Sequence, residues 1–393
     1  MLPSTRTARH RFALAWPALL ALLAAWPAAA PADDALTVLR TPGGGIQPQA
    51  AVDARGTLHL IYFTGEAKGG DIWYVRQEAG GTAFSPPLRV NSQGASAMAI
   101  GSVRGAHLAL GGNGRVHVAW MGAAGAEPKA PGGGTPMLYA RLDGQGGAFE
   151  AQRCLIRSAV GLDGGGSLAA DPQGHVEVVW HALAGARDET GRAVYVARST
   201  DDGATFAPEV PATDQATGAC GCCGMRACAD AAGRVFMLYR AATGGTDRDM
   251  MLLASANGTA FSLNDLQGWK LRSCPMSTCA ISAAGSRVLL AWQTQEQVFF
   301  ASIAGSSLKP GAPQAAPGAA KARKHPAIAG NARGETMLVW TEGTAWNQGG
   351  TLGWQRYDAA GAPSGERGRA DGVPAWGLPT VVPRGDAGFT IIY

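Results

Sequence analysis

No stretch of the chain runs Lys or Arg together, and the formal net charge is only +4. That removes the electrostatic footprint of a nucleic-acid partner. Apolar patterns of helical period are scarce. Past the N-terminal residues no apolar run is long enough to cross a bilayer as a helix, so a membrane span is not expected. Two Cys-x-x-Cys pairs are absent and no His is interleaved with the seven cysteines, which excludes a zinc knuckle. The Gly-rich runs Gly43–Gly45, Gly132–Gly134 and Gly164–Gly166 do not open helices, so no phosphate cradle follows.

The N-terminus has the order of a secretory leader. Arg6, Arg9 and Arg11 precede the apolar stretch Phe12 to Trp26, and Ala30-Pro31-Ala32 offers small residues for cleavage. Residues 1–32 are expected to be a signal peptide and 33–393 a single domain, exported to the periplasm or beyond. No Cys follows the cleavage point, so a lipid anchor is not expected. The mature chain is long enough for a large core. With 56 Gly, 23 Pro and 11 Trp, its composition is that of many short strands joined by turns.

One pattern recurs seven times: a tight turn, then a β-branched and aliphatic strand ending on an aromatic. The turn glycines are Gly56, Gly114, Gly174, Gly233, Gly285, Gly334 and Gly385; the aromatics are Tyr62, Trp120, Trp180, Tyr239, Trp292, Trp340 and Tyr393. A period of about 50–60 residues carrying several strands means a radial array of small sheets. The chain is therefore expected to be all-β, a β-propeller of four-stranded blades. Seven blades follow from counting, with six as the alternative. The seventh unit shows only two inner strands before the chain ends. Leu36–Arg40 is expected to supply its outermost strand, closing the ring by pairing the two termini.

In the third unit, Ser199-Thr-Asp201-Asp-Gly203-Ala-Thr205-Phe206 stands between the third and fourth strands. This resembles the Asp box of the sialidase-like (BNR-repeat) β-propeller superfamily. Locally, Asp201 should accept backbone N–H groups within a hairpin, Gly203 supply a positive φ, and Phe206 plug between sheets. Degraded copies run from Glu78 to Phe84, Asp143 to Phe149 and Ser255 to Phe261. The box is thus expected to be structural. The resemblance implies a sialidase fold, but the catalytic motifs of true sialidases are not recognisable. There is no Arg-Ile-Pro; the early Arg40 is followed by Thr-Pro-Gly. Tyr239 has no evident Glu partner for a nucleophilic role.

In such a propeller, function belongs to the loops that join an outermost strand to the next innermost one, together with those joining second to third strands. Sorting residues by that rule puts Arg104, Asp163, Arg226, Arg240, Asp247, Arg248, Asp249, Lys324 and His325 on one face as candidate ligand contacts, with Glu189 and Trp346 further round. The same face holds Cys220, Cys222, Cys223, Met225 and Cys228, and one unit later Cys274, Met276 and Cys279. Cys154 lies apart. Disulfides would staple the two blades together in an oxidising compartment. Alternatively Cys and Met would hold a soft ion such as copper, or Cys222 and Cys223 would form a redox pair. No cofactor is required by any motif.

Function is therefore expected to be binding or scaffolding by a monomer, with a carbohydrate or a protein at the loop face. A divergent glycoside hydrolase is the alternative, and would need two carboxylates, or a Tyr and a carboxylate, near the axis.

Overall fold

The structure is a computed structural model that describes residues 1–4, 35–184, 187–319 and 322–393. The described residues from Ala35 to Tyr393 form one compact unit. Apart from Met1–Ser4, the expected leader lies outside the described residues. No helix among the described residues is long and apolar enough to cross a membrane.

Seven sheets are present among the described residues, which decides between seven blades and six. Six are four-stranded antiparallel meanders. Their innermost strands are Ile46–Val52, His107–Leu110, Gly166–Ala170, Arg226–Ala229, Cys279–Ala284 and Arg323–Gly330. The seventh blade departs from the four-stranded expectation. Thr380–Arg384 is its inner strand, Gly388–Ile392 its second, and Leu36–Leu39 its third and last. The two termini do pair, but in parallel, with Leu36 opposite Phe389 and Leu39 opposite Ile392. Tyr393 donates its N–H to Leu39 O and Thr41 donates to Tyr393 O, so the ring is closed by backbone hydrogen bonds.

In four of the seven turns one side chain organises the backbone. Asp171 Oδ1 accepts the N–H groups of Gln173 and His175, both at 2.9 Å, and Gly174 takes φ +88°. Asp53, Asp230 and Asn331 accept in the same way from residues two and four further on. The strand that follows is enclosed by the neighbouring blades on both faces, so every residue of Val116–Met121 and Val235–Arg240 is buried. Trp120, Trp180, Trp292 and Trp340 are among the largest fully buried side chains.

The Asp box behaves as its spacing requires. Asp201 accepts from Ser199 Oγ (2.7 Å), Thr205 N (2.8 Å) and Thr205 Oγ1 (2.6 Å), while Gly203 has φ +76° and donates to Ser199 Oγ. Those bonds, the Thr205 hydroxyl first, hold the Asp201 carboxyl at about 2. Phe206 packs edge-on against Tyr139 of the previous blade, centroids 4.9 Å apart. In the fourth blade Asn257 Oδ1 takes over the acceptor role, bonding Thr259 N and Oγ1. Asp201→Asn should therefore leave stability nearly unchanged in urea unfolding. Asp201→Ala should cost about 1 kcal/mol, a figure kept small because the carboxylate is exposed.

The innermost strands of all seven blades line an axial cavity of about 290 Å³. Its wall is largely Ala, Leu and Val, with Gln49, His107, Ser167, Arg226, Ser282 and Thr380 as polar members.

Candidate functional site

The loop between the first and second blades folds over the head of the axis. Val103 is buried there, within van der Waals reach of Gly224 in the fourth blade, and its carbonyl crowds Gly165 in the third. Gly101, at φ +80°, makes close approach possible: a Cβ at that position would stand 3.0 Å from Trp346, 3.1 Å from Met276 and 3.3 Å from Arg104. Residues from three separate stretches of chain thus meet at one point. Trp376 completes it, edge-on to Trp346 with centroids 6.0 Å apart. Gln47 Nε2 ties this region down by donating to Ala99 O (2.6 Å) and Trp376 O (3.1 Å). Trp346 is nonetheless 55% exposed, while nearly every other large apolar side chain is covered.

Beside this platform Arg104 donates from Nε (3.1 Å) and an η nitrogen (2.6 Å) to Asp163 Oδ1, which also accepts Gly164 N. Below it, Arg226 reaches His107 Nε2 across the channel head, and His107 Nδ1 lies 2.7 Å from Ser167 Oγ. Burial lowers the Arg226 guanidinium to about 10. Burial, then the Arg226 charge, holds His107 well below the usual imidazole range. Burial, followed by Lys324 and Arg226, lowers His325 to about 3. Neutral imidazoles therefore surround one cation. His325 adopts φ +49° at an irregularity between Lys324 and Ala327, and its Nδ1 sits 3.1 Å from Thr278 Oγ1.

The two cysteine-bearing segments are neighbours, as the repeat arithmetic requires. Gly224 N donates to Ser277 O (3.0 Å), Ser277 Oγ to Cys223 Sγ (3.3 Å) and Cys279 Sγ to Gly224 O (3.6 Å). Within them, however, the sulfurs divide. Cys220, Cys222 and Cys223 bring their Sγ atoms within 4.8 Å of one another, and Cys220 and Cys222 are 3.3 Å apart. Cys274 and Glu189 form a second such group around Cys222. Cys279 is buried between the fourth and fifth blades, and Cys228 lines the axial cavity. Met225 packs in the core with Met237 and Tyr239, and Met276 turns to Trp346. The expected convergence of six cysteines thus narrows to a trio with Cys274 beside it. The reason is strand alternation: Cys228 and Cys279 lie inside strands that carry them away from the mouth. No two cysteine sulfurs among the described residues stand at disulfide distance, and hydrogen bonds join the segments.

Among the arginines expected at this face, Arg240 is internal. It donates from Nε to Ser277 Oγ (2.9 Å), from its η nitrogens to Arg248 O (2.5 Å) and Gln293 O, and lies over the Trp269 ring. Arg248 is buried and paired with Glu189 at 2.7 Å. Asp249 accepts Trp269 N and Asp247 pairs with the exposed Lys270. Asp163 and Glu189 both flank Gly221: Glu189 Oε1 accepts its N–H at 2.9 Å, and a Cβ there would be 3.3 Å from Asp163. Each carboxylate bonds an arginine. Trp376, His107, His181 and Gly101 are members that sequence reasoning missed. The first three stand in mouth loops or at adjoining strand ends, beside residues that were singled out.

No protein-family model and no curated protein matches the chain. Solved structures do match in fold. An α-L-arabinanase of Penicillium chrysogenum, complexed with arabinobiose, aligns with a TM-score of 0.51 and 13% identity over 82% of this chain and 96% of that one. A Hadza microbial sialidase gives a TM-score of 0.49 and 10% identity, covering 82% and 73%. A lectin of Aleuria aurantia, with α-methyl-L-fucoside bound, gives 0.46 and 13%, covering 84% and 95%. At these identities the likeness is one of fold alone, and at that level the expected β-propeller holds.

Proposed function

We propose that the protein is an exported, monomeric carbohydrate-binding propeller whose ligand lies on the loop face over Trp346. The observation that carries this reading is the exposed indole on the loop face, beside Trp376 and Gly101. A rigid aromatic plate beside a charged hydrogen-bonding pair is what a sugar ring requires: its C–H face stacks on the indole, and its hydroxyls bond Arg104 and Asp163. Fixing Trp346 between loops before the ligand arrives reduces the ordering cost of binding.

Binding is favoured over hydrolysis because Asp163 and Glu189 are each committed to an arginine. A glycosidase needs one carboxyl free to hold or take a proton. Glycan-array screening followed by calorimetry on the best ligand tests the reading. Trp346→Ala should weaken binding roughly tenfold or more, since it removes the covered area together with the roughly 0.5–1.5 kcal/mol that an aromatic contact adds beyond it. Melting should be unaffected, because the side chain is exposed. Retained affinity in that variant, or turnover of aryl glycosides that Asp163→Asn removes, would replace this reading with another site or with catalysis.

A further inference from the structure

We propose that Cys220, Cys222 and Cys223 form a trithiolate site for one Cu(I) ion. The proposal is independent of the sugar reading, since Trp346 is no part of it. The three sulfur atoms come from one tight loop, Cys223 N bonding back to Cys220 O at 3.1 Å. All three lie within 4.8 Å of one another, so a single ion placed among them needs only small side-chain adjustments. Cys220 and Cys223 are buried and Cys222 is half-buried, which gives a dry interior with one open side. Thiolates are soft donors and favour a soft monovalent ion.

Charge supports the same choice. Three thiolates and one Cu(I) leave a net negative site, and two buried arginines face it. The Arg240 guanidinium acts on Cys223 and Cys220, and Arg248 on Cys220 and Cys222. Nearby, His181 is buried with Nε2 unpartnered and turned toward this loop. A Cβ on Gly164 would be 2.8 Å from Nε2, 2.5 Å from Gly221 O and 3.1 Å from Cys223 O.

Other uses of these sulfurs fit less well. A Cys-x-Cys or vicinal disulfide closes a small strained ring and leaves the third thiol unused. Zinc requires a fourth ligand in tetrahedral array. Glu189 does not join all three sulfurs in one group, and its oxygens are taken by Gly221 N and Arg248. Cys274 is exposed and within 4.8 Å of Cys222, so it marks the side by which the ion arrives, through exchange of one thiolate for another. Binding displaces the protons of whichever thiols are still protonated.

The full chain, purified and kept anaerobic, would be titrated with Cu(I) against the chromophoric chelator bathocuproine disulfonate. One ion per chain is expected, with proton release, and X-ray absorption should show sulfur scatterers only. Cys222→Ser should weaken Cu(I) by at least the roughly 100-fold that loss of an outer-shell partner can cost; Cys228→Ser and Trp346→Ala should leave it unchanged. If the serine variants misfold, the absorption spectrum of the wild-type protein still decides. Nitrogen or oxygen scatterers, unaltered affinity in Cys222→Ser, or displacement by equimolar Zn(II) would each overturn the assignment. So would mass spectrometry of the exported protein showing two of the three sulfurs joined as a disulfide.

Discussion

Arg240→Ala is expected to cost about 3 kcal/mol or more in stability, among the largest effects of any single substitution near the loop face. The side chain ends the second strand of the fourth blade and crosses to the fifth. It satisfies Ser277 Oγ, Arg248 O and Gln293 O, all within a buried contact. Truncation strands those acceptors without water and leaves a cavity beneath Trp269. Arg240→Lys should recover only part of the loss, because one ammonium cannot reproduce the planar fork that reaches both blades. Urea unfolding measures both variants. An alanine variant within about 1 kcal/mol of wild type would mean that Arg240 is dispensable as an interblade clamp.

A second large effect is set by pH. Glu177 lies on the second strand of the third blade with its side chain 1% exposed. Burial raises its carboxyl to about 7, despite Arg198 at 3.1 Å. The ordinary value is 4.5, so between roughly pH 4.5 and 7 the folded protein holds a proton that the unfolded chain has released. The sign follows from that difference. This group's contribution is most favourable below 4.5, falls as pH rises through 7, and is flat above. The whole change is about 3 kcal/mol. Glu177→Gln has no proton to lose and keeps an acceptor for Arg198. It should therefore match wild type at pH 4 and exceed it by about that amount at pH 8, in chemical denaturation at fixed temperature. Parallel pH profiles for the two proteins would show that Arg198 keeps Glu177 ionised in the folded state.

The turns and second strands were legible because each is organised within a few residues. Asp171 bonds N–H groups two and four positions on, and Gly174 supplies the one backbone angle the turn requires. Such local rules repeat with the blade, so counting them yields the ring. The parallel pairing of Leu36–Leu39 was not legible. Its partner lies at the other end of the chain, and nothing local distinguishes a third strand from a fourth.

The mouth was legible as a place but not as an arrangement. Topology assigns Arg104, Asp163, the cysteine segments and Trp346 to one face. It does not say that Arg240 turns inward, that Cys228 faces the cavity, or that Met276 meets Trp346. Gly101 carries no chemistry of its own, yet without a Cβ it lets Trp346, Met276 and Arg104 meet.

By itself, then, the amino-acid order determined the repeat and the face to which chemistry belongs, because hydrogen bonds and alternation over short spans dictate them; the structure then chose seven blades over six. Tertiary structure alone decided which sulfurs are neighbours, which arginines are buried and where an indole stays open to solvent. Those depend on side chains from distant blades competing for the same few cubic ångströms, and no local rule anticipates the outcome.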